Sequence, residues 1–290
     1  MSIGNKIKQL REENNMTQKE IAEILEVEPG TISKYESNLI EPNIKSLKKL
    51  SDTFQISVDD LIREDEEEYN VSDIDLLATF KDQKERKVTR NIYQATQVIF
   101  AYNSNRIEGN ELTEYQVKNI YESNTLNFLE NSTVKVNDIF KIANHFTLFD
   151  YMCDNANKKL TSSMVNTFYD ILESGTFDDT EEKLPSKDMD KLLSWYDSLS
   201  NISFEKIVEF LVRFEKLKPF NNDNGIIGRM IVYKECLKND IFPFIIFDKD
   251  KQKYNKGLDN YLNKKEKDYL FNFCIDEQYQ YAKIIEKFLR

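Results

Sequence analysis

Apolar residues recur at three- and four-residue spacing along most of the chain, the period of a helix with one buried face rather than the alternation of a strand. The first such segment passes through Ile3, Ile7 and Leu10. Thr17-Gln18-Lys19-Glu20 is a Thr-x-x-Glu capping box, and it opens a short helix with Ile21, Ala22 and Leu25 on one side. A second short helix follows almost at once: Pro29 suits the first helical position, Ile32 and Tyr35 share a face, and Asn38 can close it in a left-handed conformation. Ile44, Leu47, Leu50 and Phe54 line another, and Ser57 caps a last turn before Leu61 and Ile62. The pattern predicts a compact five-helix bundle over residues 1–63.

From Asp73 onward the same period returns with short connections. Phe80–Asn105 reads as one helical run, and Lys135–Met152 as another with Ile139, Ile142, Ala143, Phe146 and Phe149 on one side. Met164–Leu172, Lys187–Leu199, Ser203–Leu217, Ile226–Lys238 and Tyr269–Leu289 complete the set. Strand-like patterning is confined to Phe242–Phe247, FPFIIF, which fits a small β-hairpin and a buried extended loop equally. The fold class expected is all-α.

Composition agrees: 290 residues with 40% apolar and 12% aromatic content suffice for two domains and a sizeable core, and 7 Gly and 5 Pro leave few helix breakers. There is no basic start followed by an apolar run and no stretch of eighteen apolar residues, so a cytoplasmic protein without a membrane partner is expected. Cys153, Cys236 and Cys274 have no CxxC spacing and read as buried thiols, and no metal site is assigned. His145, the one histidine, lies in an apolar, aromatic helix, which leaves no residues for a histidine-rich metal site. Charge is uneven. Residues 1–63 hold 9 Lys+Arg against 11 Asp+Glu, and EDEEEYNVSD at 64–73 holds 6 acids and no base. The acidic run reads as a solvated linker, giving domains at 1–63 and 77–290 with the linker at 64–76.

Two short helices joined by EVEP inside a small bundle form a helix-turn-helix arrangement, whose second helix enters the major groove of DNA. LREENNMTQKEIAEILEVEPGTISKYESNLIEPNIKSLKKLSDTF resembles the lambda-repressor-type (XRE) helix-turn-helix family along its whole length. The resemblance implies a five-helix lambda-repressor-like fold. It also implies that Gln18 bonds a phosphate or the next helix, and that Lys19, Glu28, Gly30, Thr31, Ser33 and Lys34 face double-stranded DNA. Such a unit draws most of its affinity from Lys and Arg that displace counterions, yet this one has a net charge of −2. Binding then rests on a local basic face, for which Lys19, Lys34, Lys45, Lys48 and Lys49 are candidates, and on a homodimer reading a palindromic operator. Glu28 repels phosphate but can accept from cytosine N4.

In LKPFNNDNGIIGR, Leu217–Arg229, five polar, turn-favouring residues precede an apolar helical run, the arrangement by which backbone N–H groups at a helix start meet an anion. The longer stretch FEKLKPFNNDNGIIGR resembles the Fic (Fido) family of AMP-transferring enzymes, whose signature runs His-Pro-Phe-x-acid-Gly-Asn-Gly-Arg-x-x-Arg between two helices. Pro219, Phe220, Asn224, Gly225 and Arg229 match; Lys218 replaces the histidine, Asn222 the acid, Asp223 the first glycine and Ile226 the first arginine. SNRIEGNEL, with Ser104, Glu108 and Gly109, is similar to the family's inhibitory motif, whose glutamate pairs with the second arginine, here Arg229, at the γ-phosphate position. KIANHFTLFDYM and LSWYDSL resemble the intervening helices, and the resemblance extends over Leu77–Arg290. It implies a helical bundle with at most a small β-hairpin.

In that family the histidine takes a proton from the target hydroxyl, the acid holds Mg²⁺, and the loop and arginines hold phosphates. Lys218 is by residue type a donor without an acceptor site, and losing a general base costs a factor of roughly 10² to 10⁴. Ile226 forfeits a charge-assisted bond worth about 1.5–3 kcal/mol. Degenerate positions Lys218, Asn222 and Ile226 therefore argue against AMP transfer. One reading is a regulator whose second domain dimerises or senses an anion such as ATP, with or without Mg, through Lys218, Asn222, Asp223, Asn224, Gly225 and Arg229. An empty relic holding a structural ion pair is a second. A transferase of altered chemistry, with Lys218 desolvated and the helix-turn-helix regulating its own gene, is a third.

Overall fold

The computed structural model describes residues 3–14, 16–54, 56, 58, 61, 74–86, 90–127, 133–177, 186–264 and 266–289. The chain divides into two compact units, Met1–Asn70 and Val71–Arg290. The acidic run at 64–73 lies outside the described residues.

In the first unit, α1 (Ile3–Glu13), α2 (Gln18–Leu25), α3 (Pro29–Glu36) and α4 (Ile44–Phe54) surround a core of Ile7, Ile21, Leu25, Ile32 and Leu50. The capping box forms as its spacing requires: the Thr17 hydroxyl accepts from the Glu20 N–H, and the Glu20 carboxylate accepts from the Thr17 N–H at 2.7 Å. Pro29 starts α3, and Asn38 follows it in the left-handed region at φ 55°. The expected fifth helix falls largely on Ser57–Ile62, where Ser57 and Ile62 lie outside the described residues, while Leu61 is buried in the core.

The second unit contains α5 (Leu76–Arg86), α6 (Ile92–Ile107), α7 (Glu114–Ser123), α8 (Val136–Asp154), α9 (Ser162–Leu172), α10 (Ser186–Asp197), α11 (Phe204–Leu217), α12 (Asn224–Lys238), α13 (Lys251–Asp259, continued by a π turn at Asn260–Lys264) and α14 (Asp268–Glu286). Phe80–Asn105 is not one helix. Arg90 takes a left-handed φ of 56°, and the Asn91 side chain accepts from the Gln94 N–H at 2.8 Å, so α6 starts afresh. At the centre lies α12, buried at every position from Asn224 to Leu237. Its side chains pack with those of α6, α8, α9 and α11 in one core that includes Phe100, Phe149, Phe168, Phe214 and Ile231. Phe242–Phe247 is neither helix nor strand, with Phe244, Ile245 and Ile246 buried and the Phe247 N–H donating to Glu277, and no strand occurs among the described residues. No described helix is long and apolar enough to cross a membrane.

Gly4 marks a close helix contact in the first unit. Its N–H donates to Asn38 Oδ1 at 3.0 Å, and a Cβ there would sit 2.0 Å from the Tyr35 carbonyl oxygen. Backbone cannot retreat as a side chain would, so Gly4→Ala should destabilise the first unit by about 1–3 kcal/mol, read as a lowered denaturant midpoint for its unfolding. An unchanged midpoint would contradict this packing.

Candidate functional site

In the helix-turn-helix unit the interior of the motif is held by charge. Glu36, 7% exposed, accepts from Arg11 at 2.6 and 3.1 Å and from Gln18 Nε2 at 2.8 Å. Gln18 thus bonds the next helix, and its amide braces α2 against α3. Lys19, Glu28, Gly30, Ser33 and Lys34 are exposed and Thr31 is half-buried. A Cβ on Gly30 would meet nothing within 4 Å, so this end of α3 stands clear of the rest of its unit. Of the basic candidates, Lys45 and Lys49 both reach Glu26 at 3.0 Å, which spends part of their charge inside the unit.

In the larger unit, the hairpin of α11 and α12 carries the loop at 218–223. Lys218 ends α11 at φ 46° and Asp223 precedes α12 at φ 55°, so both take left-handed conformations. Asp tolerates that region better than most residues, which lets it stand where a glycine would be expected. The loop is closed by Asn224, whose Oδ1 accepts from the Phe220 N–H at 2.9 Å while its Nδ2 donates to the Phe220 carbonyl at 2.6 Å. Phe220 stacks on Tyr169 at 4.1 Å, and the Tyr169 hydroxyl donates to Asn222 Oδ1 at 2.7 Å. Lys218 is exposed, which is the opposite of a desolvated catalytic lysine. Ile226 is wholly buried among apolar side chains and presents no polar group to the loop.

Arg229, Gly225, Ser104 and Glu108 come together. Arg229 is 4% exposed; Nε donates to Ser104 Oγ at 3.0 Å, and Nη2 donates to the Ser104 carbonyl and to Glu108 Oε1, each at 2.9 Å. A Cβ on Gly225 would fall 2.0 Å from Glu108 Oε1 and 2.7 Å from Arg229 Nη1. Glu108 therefore sets its carboxylate against the first turn of α12, where unpaired N–H groups and the helix dipole favour negative charge. Nη1 is buried with no hydrogen-bond partner among the described residues. Burial opposes the guanidinium charge, and Glu108, followed by Tyr254 and Glu215, outweighs it, so the pKa of Arg229 is raised. Gly109, at φ 99°, turns the chain away directly after Glu108.

His145 packs behind this group, its ring edge-on to Phe100 at 5.1 Å. It is fully buried, and both ring nitrogens lack a hydrogen-bond partner among the described residues. Burial, then the charge of Arg229, lowers its pKa to about 3, so the imidazole is neutral in the core.

Sequence spacing gave no sign of a second cluster beside the loop. Asp223 turns away from Arg229 and bonds Lys141 Nζ at 2.6 Å, with Glu173 Oε1 3.7 Å from the same amine. These residues come from α8, the end of α9 and the loop, and the one hint was a lone acid after the apolar run of α9. Among the described residues no group of acids, cysteines and histidine has the form of a metal site. Burial first, then the hydrogen bond and charge of Asp223, raises the Glu173 carboxyl to about 8, against the opposing pull of Lys141 and Thr176.

That shift has a definite sign. An unfolded glutamic acid loses its proton near 4.5, whereas the folded one keeps it higher, so this group subtracts stability as pH rises from about 4.5 towards 8. Glu173→Gln, which keeps the neutral form, should unfold at a higher urea concentration than the native chain at pH 8, and the gap should close towards pH 4.5. A gap that widens on acidification would refute the assignment.

The helix-turn-helix family model matches residues 7–61. Over 66 residues, 23% of the chain, the sequence is 41% identical to the HTH-type transcriptional activator BcrR of Enterococcus faecalis and 38% identical to the HTH-type transcriptional regulator ImmR of Bacillus subtilis (strain 168). The matched region spans 32% and 52% of the length of those two relatives. Among solved structures, a Fic domain containing signaling protein from Bacteroides thetaiotaomicron aligns with a TM-score of 0.59 at 16% identity, covering 72% of this chain and 95% of that one. Fic-1 from C. elegans aligns with a TM-score of 0.57 at 13% identity, covering 98% of each chain. At such identities the likeness is one of fold. The chain joins an XRE-type helix-turn-helix domain at its N-terminus to a larger unit with the fold of Fic-domain proteins.

Proposed function

We infer that this chain is a DNA-binding transcription regulator whose Fic-like unit binds an anionic ligand, such as a nucleotide, without transferring AMP. The contact of Glu108 with Arg229 over the start of α12 carries the reading: a carboxylate of the chain lies against the helix start where an anion would bind, and the buried Nη1 amino group of Arg229 is left over. A ligand phosphate and Glu108 compete for the same donors, so the pair acts as a switch. Turnover is disfavoured because Lys218 offers no acceptor for a hydroxyl proton, Ile226 no charge for a phosphate, and the single imidazole is sealed in the core. DNA reading is supported by the two regulators that share the N-terminal segment and by the exposure of Gly30, Ser33 and Lys34. With Lys45 and Lys49 partly neutralised by Glu26, one copy has too little positive charge for tight binding. Two copies on a palindromic operator supply the remainder.

A mobility-shift assay with genomic fragments at low salt tests the first half. The native chain should retard specific fragments, and Lys34→Ala should weaken all of them alike and reduce the salt slope by about one. No retarded fragment at micromolar protein would overturn DNA binding. Thermal shifts with ATP, ADP and GTP, with and without Mg²⁺, test the second half: stabilisation should increase in Glu108→Gly and vanish in Arg229→Ala. Label transferred from ATP to protein, and lost in Lys218→Ala, would replace the regulator by an enzyme.

A further inference from the structure

A cleft separate from the loop before α12 opens among α5, α6, α7 and α8, with a volume of about 630 Å³, a size typical of small-molecule sites. Its lining includes two carboxylates, Asp150 and Glu122, and two cations, Lys84 and Arg90, so the fixed charges cancel. Their engagement differs. Glu122 accepts from Gln94 Nε2 at 2.6 Å and lies 3.9 Å from Lys118, and is thereby occupied along its own wall. Lys84 is held at 3.1 Å by Asp154.

Asp150 is only half engaged. Its Oδ1 accepts from the Tyr93 hydroxyl and from Gln97 Nε2 at 3.1 Å. Its Oδ2 makes a longer ion pair with Lys84 Nζ at 3.8 Å, and the carboxylate side chain stays 41% exposed. Beside it, Gln97 is 2% exposed, and its Oε1 is buried with no hydrogen-bond partner among the described residues. This part of the cleft thus presents a partly exposed carboxylate whose Oδ2 has only a distant cation. Tyr121 and Phe146 meet edge to face at 4.9 Å and form an aromatic wall. Burial, then the charge of Asp150, pushes the Tyr121 phenol up to about 12, so it remains a neutral hydroxyl. Arg90, also in the lining, is exposed.

A partly exposed carboxylate, an aromatic wall and an exposed guanidinium suit one kind of occupant. We propose that this cleft binds a free amino acid with an apolar or aromatic side chain. Its ammonium meets the open side of Asp150, its carboxylate meets Arg90, and its side chain lies on Tyr121 and Phe146. A purely anionic ligand would face Asp150, and a purely cationic one would face Arg90; an amphoteric molecule satisfies both. Nothing in this site involves Arg229, so it stands or falls apart from the nucleotide reading.

Calorimetric titration of the full chain with a panel of free amino acids tests it. At least one with an apolar side chain should bind saturably at one site, with a Kd near or below about 1 mM. The matching amine without its carboxylate, and the matching acid without its amine, should each bind at least about tenfold more weakly. Asp150→Asn and Arg90→Ala should each weaken the amino acid by about tenfold to a hundredfold. Arg90 is exposed, so its variant decides the matter even where Asp150→Asn folds poorly. Absence of binding across the panel at about 10 mM, equal binding of either half-ligand, or full binding to Arg90→Ala overturns the proposal.

Discussion

Arg229 sits on a helix whose residues are buried at nearly every position, so its charge has to be answered inside the protein. Ser104 and Glu108 answer it. They stand one helical turn apart at the end of α6, so both reach the same guanidinium and tie that end of α6 to the start of α12. Stranding a buried charge by removing its partner costs about 3–5 kcal/mol, less here because the Glu108 side chain is 34% exposed and water can take up part of the loss. That exposure leaves the carboxylate open to solvent, while the arginine stays buried.

The loop before α12 keeps its shape without outside help. Two left-handed residues bracket it, the Asn224 amide bonds reciprocally to the Phe220 backbone, and Tyr169 fixes both Phe220 by stacking and Asn222 by a hydrogen bond. The same bracing engages the Asn222 and Asn224 side chains in hydrogen bonds within the loop and its support.

The helix-turn-helix unit obeys a different constraint, an excess of acids in a domain meant for a polyanion. One of those acids is put to structural use: Glu36 is buried under Arg11 and Gln18 and locks α1, α2 and α3 together. Glu26 instead draws Lys45 and Lys49 towards itself. What remains open at the front of α3 is mostly small or polar, Gly30, Thr31 and Ser33, with Lys34 as its cation.

The short-range features could be read directly from the chain. The Thr17–Glu20 box, Pro29, the left-handed Asn38 and the four-residue step from Ser104 to Glu108 each involve partners within about one turn, so residue type and spacing suffice to place them. The Thr113–Gln116 box that opens α7 offered the same signal and went unread. The break between α5 and α6 was hidden because the apolar period continues on both sides of Arg90. Which distant charges would meet was not legible at all. Lys141 finds Asp223 across 82 positions, Asp150 gathers Tyr93 and Gln97, and His145 comes to rest behind Arg229. Helical period and caps follow from neighbours along the chain and were determined by the sequence alone; the pairing of buried charges depends on how helices cross, and only the tertiary structure decided it.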